Sequence, residues 1–163
     1  MTNKYDFDPV CGMPVGPDAP SSRFMGFTFR FCSGQCRQRF EEHPHLYVGR
    51  PGVPAPRQRG ETLPKRRCFN LAAIPSPEQA AAVREAVGAL MGIYECQVEG
   101  RSVWVSYDLL QSTARQIEDA IAGTGAALDD ALPARLSRAV LHYLEETELA
   151  NREHDLDGGG HHH

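Results

Sequence analysis

Hydrophobic residues alternate with polar ones near residue 30, and the pattern then changes to a helical period. Three phenylalanines two positions apart share one face of a predicted strand, and they are Phe27, Phe29 and Phe31. Ser33 follows as a helix N-cap, and residues 35–42 are predicted as a short helix that ends before Pro44. The pattern therefore predicts a small strand–helix module.

A second set of elements is predicted between residues 68 and 128. Residues 68–74 read as a strand, and Ser76 and Pro77 begin a helix with apolar residues at helical spacing. The remaining elements are strands at 93–98 and 102–107, a helix with a Thr113/Gln116 capping box, and an edge strand at 126–128. The order β-α-β-β-α-β is that of the ferredoxin-like split motif.

One further helix is predicted over residues 131–151. Its apolar face comprises Leu132, Leu136, Val140, Tyr143 and Thr147, with Leu144 beside it, and Leu141 and Leu149 widen the apolar side. Its polar face comprises Arg135, Arg138, Glu145, Glu146 and Glu148. The apolar face fits packing on its own domain, pairing with a second copy as a homo-oligomer, or binding another partner. The helix is too polar to insert into a membrane.

The predicted fold class is α+β, with a small strand–helix module, a βαββαβ ferredoxin-like domain and a C-terminal helix. The predicted segments are the strand–helix module at 1–49, a Pro/Arg-rich linker at 50–67, the ferredoxin-like domain at 68–129, the helix at 130–153 and a tail at 154–163. The tail ends in Gly158–Gly160 and His161–His163. It reads as an expression tag or as a native metal-binding tail.

Composition and charge restrict the class of protein. The chain has 163 residues, a formal charge of −4 and five cysteines. It has no apolar run that would span a bilayer and no signal-peptide pattern, so we expect a soluble cytoplasmic protein in a reducing compartment. The linker is basic, which fits either a solvated segment or an anionic partner. Because no aromatic residues interleave with its arginines, nucleic acid is not the expected partner.

Three of the cysteines point to a metal site. Cys32 lies at the strand–helix junction, Cys36 lies in the first helical turn, and Cys11 belongs to a knuckle in which Gly12 makes the turn. A helix N-terminus is expected to lower a nearby thiol pKa, and thiolate is the form that binds soft metals. Three convergent thiolates would therefore hold a thiophilic ion.

The identity of the ion depends on a fourth ligand. Structural zinc takes four ligands, whereas three thiolates suit Cu(I) most closely, or Hg(II). Met13 is a candidate thioether ligand. His43 is a second candidate, although it lies roughly 10 Å farther along the helix than Cys36. A purely architectural Zn(II) ion remains an alternative, because so small a module needs stabilisation beyond its core.

The same residues resemble the YHS/TRASH family of small zinc-knuckle-like domains. The resemblance covers about residues 5–48 and rests on the run Asp8–Met13, Phe31–Ser33, Cys36, Phe40, Pro44 and Tyr47. Such domains occur in copper-transporting P-type ATPases, metal sensors and soluble metal-handling proteins. The resemblance implies metal binding by Cys11, Cys32 and Cys36. Related zinc ribbons carry another cysteine where this chain has Pro14.

Residues 68–129 resemble the heavy-metal-associated domain of copper chaperones and copper-transporting ATPases. The resemblance rests on residues 83–90, Gly92–Ile93, residues 103–108 and residues 117–121. The family's metal-binding Cys-x-x-Cys is replaced by Ser76-Pro77-Glu78-Gln79, so its metal site is not expected here. Cys68 and Cys96 are expected to be ordinary strand residues, with a pair between them left open.

These features favour a heavy-metal-binding protein without catalytic activity. It would act as a copper carrier, buffer or sensor in metal homeostasis or resistance, and a copper-transporting P-type ATPase is an expected partner. One alternative is a thiol redox switch or enzyme that uses Cys32 and Cys36. Another is a structural-zinc interaction or regulatory protein.

Overall fold

Secondary structure is divided between two groups of residues. The computed structural model describes residues 7–155, so the glycine–histidine tail lies outside the described residues. One compact unit contains the described residues up to Thr62 together with those from Thr147 onward, and the other is Leu63–Glu146. Both contain helices and small sheets, which confirms the α+β class.

A β-hairpin opens the regular structure of the first unit. Strand β1 (Ser21–Phe24) pairs with strand β2 (Phe27–Arg30) in antiparallel register. The turn residues Met25 and Gly26 both have positive φ, at 51° and 81°. Two such residues make the type I′ turn that matches the right-handed twist of a hairpin. The sequence predicted β2 but not its partner β1.

Helix α1 (Gly34–Glu42) follows the hairpin and supplies the centre of an aromatic core. A 3₁₀ turn, Pro44–Leu46, comes after it. The Phe40 ring lies 5.1 Å from the rings of both Phe29 and Phe31, 5.8 Å from Phe24 and 6.3 Å from Tyr47, centroid to centroid. These rings pack at tilted or edge-on angles, the arrangement that aromatic pairs favour. The predicted strand–helix module is therefore built around Phe40.

The segment predicted as a linker at 50–67 contains turns and internal contacts. Arg50 and Val53 exchange backbone hydrogen bonds of 2.9 and 3.0 Å, and Ala55 is fully buried. The Arg57 guanidinium donates to the carbonyl of Val10 at 2.7 Å. Arg66 lies over the Trp104 ring, 4.7 Å from its centroid. The sequence predicted an extended, solvated segment. Its arginines instead find partners in the folded chain, which are the Val10 carbonyl and the Trp104 ring.

The second unit is a three-stranded antiparallel sheet with helices. Strands β3 (Pro64–Asn70), β4 (Ile93–Glu99) and β5 (Ser102–Asp108) lie in the order β3-β5-β4. Helices α2 (Pro77–Gly88) and α3 (Ala114–Gly123) follow β3 and β5. Strand β5 buries Val103, Val105 and Tyr107 completely. This order confirms the predicted ferredoxin-like arrangement.

Local sequence determines where these helices begin. The Ser76 hydroxyl accepts a hydrogen bond from the Gln79 N–H at 3.1 Å, and Thr113 with Gln116 forms the predicted capping box. The predicted last strand at 126–128 is reduced to a single bridge between Leu71 and Leu128. Strand β3 also begins at Pro64, four residues earlier than predicted.

A pair between Cys68 and Cys96 is wrong for this sheet. Cys68 is opposite Trp104 and Cys96 is opposite Val105, so β5 separates the two cysteines. Neighbouring residues of a strand point to opposite faces, so the two thiols also lie on different faces of the sheet. Both are free cysteines.

The C-terminal helix α4 (Leu132–His154) buries one of its polar residues, Glu145. The carboxylate of Glu145 is 3% exposed and accepts hydrogen bonds from the Tyr107 hydroxyl and from the Ala114 N–H. The buried Glu118 pairs with Arg138 and His142 of α4. Among residues 7–155, no helix combines the length and apolar character needed to cross a bilayer.

We expect Glu145→Ala to destabilise the second unit by about 2–4 kcal/mol, because the buried Tyr107 hydroxyl and Ala114 N–H lose their acceptor. Chemical denaturation followed by the fluorescence of Trp104, the one tryptophan of the chain, measures this change. The control is Glu85→Ala, which removes an exposed carboxylate from α2. Equal midpoints for the two variants would show that the buried carboxylate contributes nothing.

Candidate metal centre

The three cysteines predicted as ligands converge in the first unit. The Sγ atoms of Cys11 and Cys32 are 3.4 Å apart, and those of Cys32 and Cys36 are 3.6 Å apart. One carboxylate oxygen of Asp8 joins them in a group whose ligand atoms all lie within 4.8 Å of one another. Cys36 is buried, whereas Cys11 and Cys32 are partly exposed.

The start of helix α1 positions two of the thiols. Ser33 is the N-cap, and its hydroxyl accepts a hydrogen bond from the Cys36 N–H at 3.4 Å. Cys32, immediately before the cap, places its sulfur 3.7 Å from the same hydroxyl. The predicted strand–cap–helix sequence therefore directs Cys32 and Cys36 to one point, as their spacing indicated.

Asp8 joins the knuckle to the strand–helix junction. Its Oδ1 accepts from the N–H groups of Val10 at 2.7 Å and Cys11 at 3.2 Å, and its Oδ2 accepts from the Cys32 N–H at 2.7 Å. The knuckle closes through a 2.8 Å bond from the Gly12 N–H to the Asp8 carbonyl, with Gly12 at φ +81°. The carboxylate is 1% exposed.

The sequence analysis did not identify Asp8 as a functional residue. An aspartate two residues before a turn position is typical of an Asx-turn, in which the side chain accepts from a nearby backbone N–H. That pattern predicts the bond to Val10. It does not predict the bond to Cys32, which joins residues far apart in the sequence.

In the metal-free protein, the three thiols share protons unequally. A hydrogen bond from the Cys36 thiol lowers the pKa of Cys11 to about 7, with a smaller contribution from the Met13 backbone. The same hydrogen bond, together with burial, raises the pKa of Cys36. Burial raises the pKa of Cys32 to about 11. The negative charge of Asp8 adds to each of these in the upward direction.

The expectation that the helix start lowers the pKa of its thiols is therefore wrong for Cys32 and Cys36. Removal from water disfavours both thiolates, and the Asp8 carboxylate disfavours them further. The thiol with the lowered pKa is Cys11, which lies on the knuckle. A cation at this point would lower the pKa of all three thiols, because it favours every thiolate, and the Asp8 carboxylate would attract it.

The two candidate fourth ligands differ in position. His43 is buried, and its Nδ1 lies 2.8 Å from an oxygen of Glu153. Met13 is 46% exposed, and its backbone hydrogen-bonds to Cys11. Among the histidines, cysteines and acidic residues of the described chain, Asp8 is the one that joins the three thiols.

The dimensions of the thiol group fit a bound metal. A metal–sulfur bond of about 2.3 Å in a tetrahedral site places its ligand sulfurs about 3.8 Å apart. The measured separations of 3.4 and 3.6 Å differ from that value by only a few tenths of an ångström. A thiophilic ion would therefore enter with small side-chain adjustments.

Comparisons with known proteins agree with part of this description. Residues 7–50 match the family model described as the YHS domain, which confirms the resemblance predicted for this segment. A solved structure titled "CopZ metallochaperone" is similar to the chain at 23% identity and a TM-score of 0.38, covering 39% of this chain and 98% of that one. No curated protein sequence matches the chain.

We expect Cys11 of the metal-free protein to react with iodoacetamide at half its maximal rate near pH 7, because the thiolate is the nucleophile and its pKa is about 7. The rate at Cys32 should still be rising at pH 10, since its pKa is about 11. Mass spectrometry of the labelled peptides separates the two. Cys36→Ala should move the Cys11 midpoint upward, and an unchanged midpoint would contradict the proposed hydrogen bond.

We expect Asp8→Asn to destabilise the metal-free first unit by about 2–4 kcal/mol, because the amide NH₂ that replaces one carboxylate oxygen cannot accept a backbone N–H, so either the Cys32 bond or the two knuckle bonds are lost. Metal affinity should fall about 10–100-fold, the usual effect of losing a residue that orients ligands. Thermal unfolding and competitive titration measure the two effects. The control is Asp18→Asn, since Asp18 is exposed, and a parallel loss in that variant would contradict the role given to Asp8.

Proposed function

We propose that this protein binds a thiophilic metal ion through Cys11, Cys32 and Cys36 and passes it to other metal-handling proteins. The observation that carries the proposal is the convergence of three free thiols within hydrogen-bonding distance of one another at a buried carboxylate. The YHS match to residues 7–50 supports it. The proposal assigns no catalytic activity to the chain.

The unequal exposure of the thiols supports exchange with a partner. Cys36 is buried and would keep the ion in place, whereas Cys11 and Cys32 reach the surface. A thiolate of the partner bonds to the ion before Cys11 or Cys32 leaves, and the departing thiolate takes up a proton. The ion is then never released into water. Such exchange serves a carrier or a buffer, and a sensor would use the same binding step.

Cu(I) is the ion we propose as cargo. Three thiolates provide a soft ligand set, and soft ligands select Cu(I). Zn(II) needs a fourth ligand, and the Asp8 carboxylate is the candidate. That carboxylate already accepts hydrogen bonds from three backbone N–H groups, so it would have to bind the ion in addition to them. Hg(II) also fits the thiolates. A copper-transporting P-type ATPase is the proposed recipient, and the cytoplasm is the proposed compartment.

A thiol redox function is less well supported by the same geometry. Cys32 and Cys36 are close enough to react, at 3.6 Å. However, the pKa of each is raised, so neither is a ready nucleophile at neutral pH. A structural zinc site remains the second candidate, because the Asp8 carboxylate completes a set of four donors.

We expect the protein to bind one Cu(I) ion tightly and to release about two to three protons on binding at pH 7, since Cys32 and Cys36 are protonated there and Cys11 is half ionised. The affinity should therefore rise with pH. Competition with a chromogenic Cu(I) chelator gives the affinity, and titration in weak buffer gives the protons.

The variants for this experiment are Cys32→Ser with Cys36→Ser, and the matched control is Cys68→Ser with Cys96→Ser. We expect the first pair to lose the ion while Trp104 fluorescence reports an intact second unit, and the control to bind normally. If Cu(I) cannot displace bound Zn(II), and if removal of the Zn(II) unfolds the first unit, the carrier proposal is wrong and the site is structural. A reversible disulfide with metal binding absent would favour the redox alternative.

A further inference from the structure

Helix α4 presents a continuous apolar stripe to solvent. Five large side chains of its first four turns are each more than half exposed, and they are Leu132 at 65%, Leu136 at 58%, Val140 at 56%, Tyr143 at 70% and Leu144 at 56%. Their spacing of three and four residues aligns them along one face of the helix. We call these five residues the α4 stripe. Contiguous exposed apolar surface of this kind marks an interaction site.

The stripe faces outward because side chains on the opposite face of α4 bind buried groups of the second unit. Glu145 accepts from the buried Tyr107 hydroxyl and from the Ala114 N–H, and Arg138 and His142 pair with the buried Glu118. A rotation of α4 that buried the stripe would turn Glu145, Arg138 and His142 towards solvent. The buried Tyr107 hydroxyl and the buried Glu118 would then lose these partners. The helix therefore cannot cover its own apolar face by turning over.

Charges at the edge of the stripe indicate what covers it. Arg135 and Glu146 are exposed and lie on the same flank, about three helical turns apart because each turn takes 3.6 residues. Val140 lies near the midpoint between them. Arg135 is 62% exposed in a long 3.7 Å pair with the 82% exposed Asp130, an arrangement that a better partner would replace at little cost.

We propose that the α4 stripe pairs with the stripe of a second copy of this chain, in antiparallel orientation about a two-fold axis near Val140. In that orientation the flank that carries Arg135 and Glu146 lies beside the same flank of the second copy. Arg135 of each copy therefore faces Glu146 of the other. Leu136 of each copy then packs against Leu144 of the other. A parallel pair would instead bring opposite flanks together and set Glu146 near Glu148 of the second copy, where like charges repel.

The proposed interface is modest in size. Two paired helices of this length come close to the lower limit of about 1,000 Å² for a specific interface. We therefore expect a dimer that dissociates on dilution. This inference is independent of the metal, because none of its residues belongs to the thiol group.

Sedimentation equilibrium of the full chain with EDTA, which excludes metal bridging by the histidine tail, tests the proposal. We expect a monomer–dimer equilibrium whose dissociation constant rises at least about 100-fold in Leu136→Glu with Val140→Glu, because each of these apolar contacts occurs twice in a symmetric dimer. The matched control is Ile74→Glu with Tyr94→Glu, which adds the same charge to apolar residues 74% and 58% exposed elsewhere in the second unit. Circular dichroism verifies that both variants fold.

A charge-swap experiment tests the orientation. Arg135→Glu and Glu146→Arg should each weaken the homodimer by about fivefold or more, since each creates two like-charge contacts. An equimolar mixture of the two variants should dimerise as the wild type does, because every antiparallel contact then joins opposite charges. A mixture that stays as weak as its components would overturn the antiparallel model. A wild-type chain that is monomeric at several hundred micromolar would overturn self-pairing and leave the stripe to a different protein.

Discussion

The buried carboxylate of Asp8 is the constraint on which the candidate metal centre depends. It accepts three backbone N–H groups, two from the knuckle that carries Cys11 and one from Cys32 at the end of the hairpin. Hydrogen bonds to a charged group are worth about 1.5–3 kcal/mol each, so the carboxylate holds these two segments together in the absence of an ion. The aromatic core around Phe40 then fixes the helix that carries Cys36. The ligand geometry is thus prepared before binding, while the carboxylate's charge opposes ionisation of the thiols until a cation arrives.

A comparable constraint organises the second unit, where charged groups rather than apolar ones hold the C-terminal helix in place. Glu145 reaches the first residue of α3 and the hydroxyl of Tyr107 on β5, and Glu118 of α3 is paired with two side chains of α4. The sheet of this unit is three-stranded, with buried valines on its central strand β5. The combination explains how a helix with a strong apolar face exposes that face. These polar contacts lie on the face of the helix opposite Leu132, Leu136 and Val140, and those apolar residues are exposed.

The elements that depend on local sequence were predicted well. Ser33, Ser76 and Thr113 cap helices as expected, and alternation located β2 and β5, because capping and alternation involve residues close together in the chain. The convergence of Cys11, Cys32 and Cys36 also followed from spacing and from the family resemblance. What could not be predicted were contacts between distant residues, such as the Asp8 bond to Cys32 and the pairing of His43 with Glu153. The amphipathic pattern of α4 likewise could not reveal which face is buried, since a buried carboxylate on Glu145 needs partners that only the fold supplies.

The first unit is discontinuous in sequence, and this affects the order in which it is made. Its hairpin, thiols and α1 leave the ribosome early, but Arg152 and Glu153, which pair with Glu61 and His43, come only after the whole second unit. At roughly 5–20 residues per second, the nascent thiol cluster waits about 5–20 seconds for these contacts. His43 and Glu61 are therefore without these ion pairs until the end of α4 has been made. The thiol group and its aromatic core form from residues that are synthesised early, whereas the last ion pairs of the same unit are added at the end of synthesis.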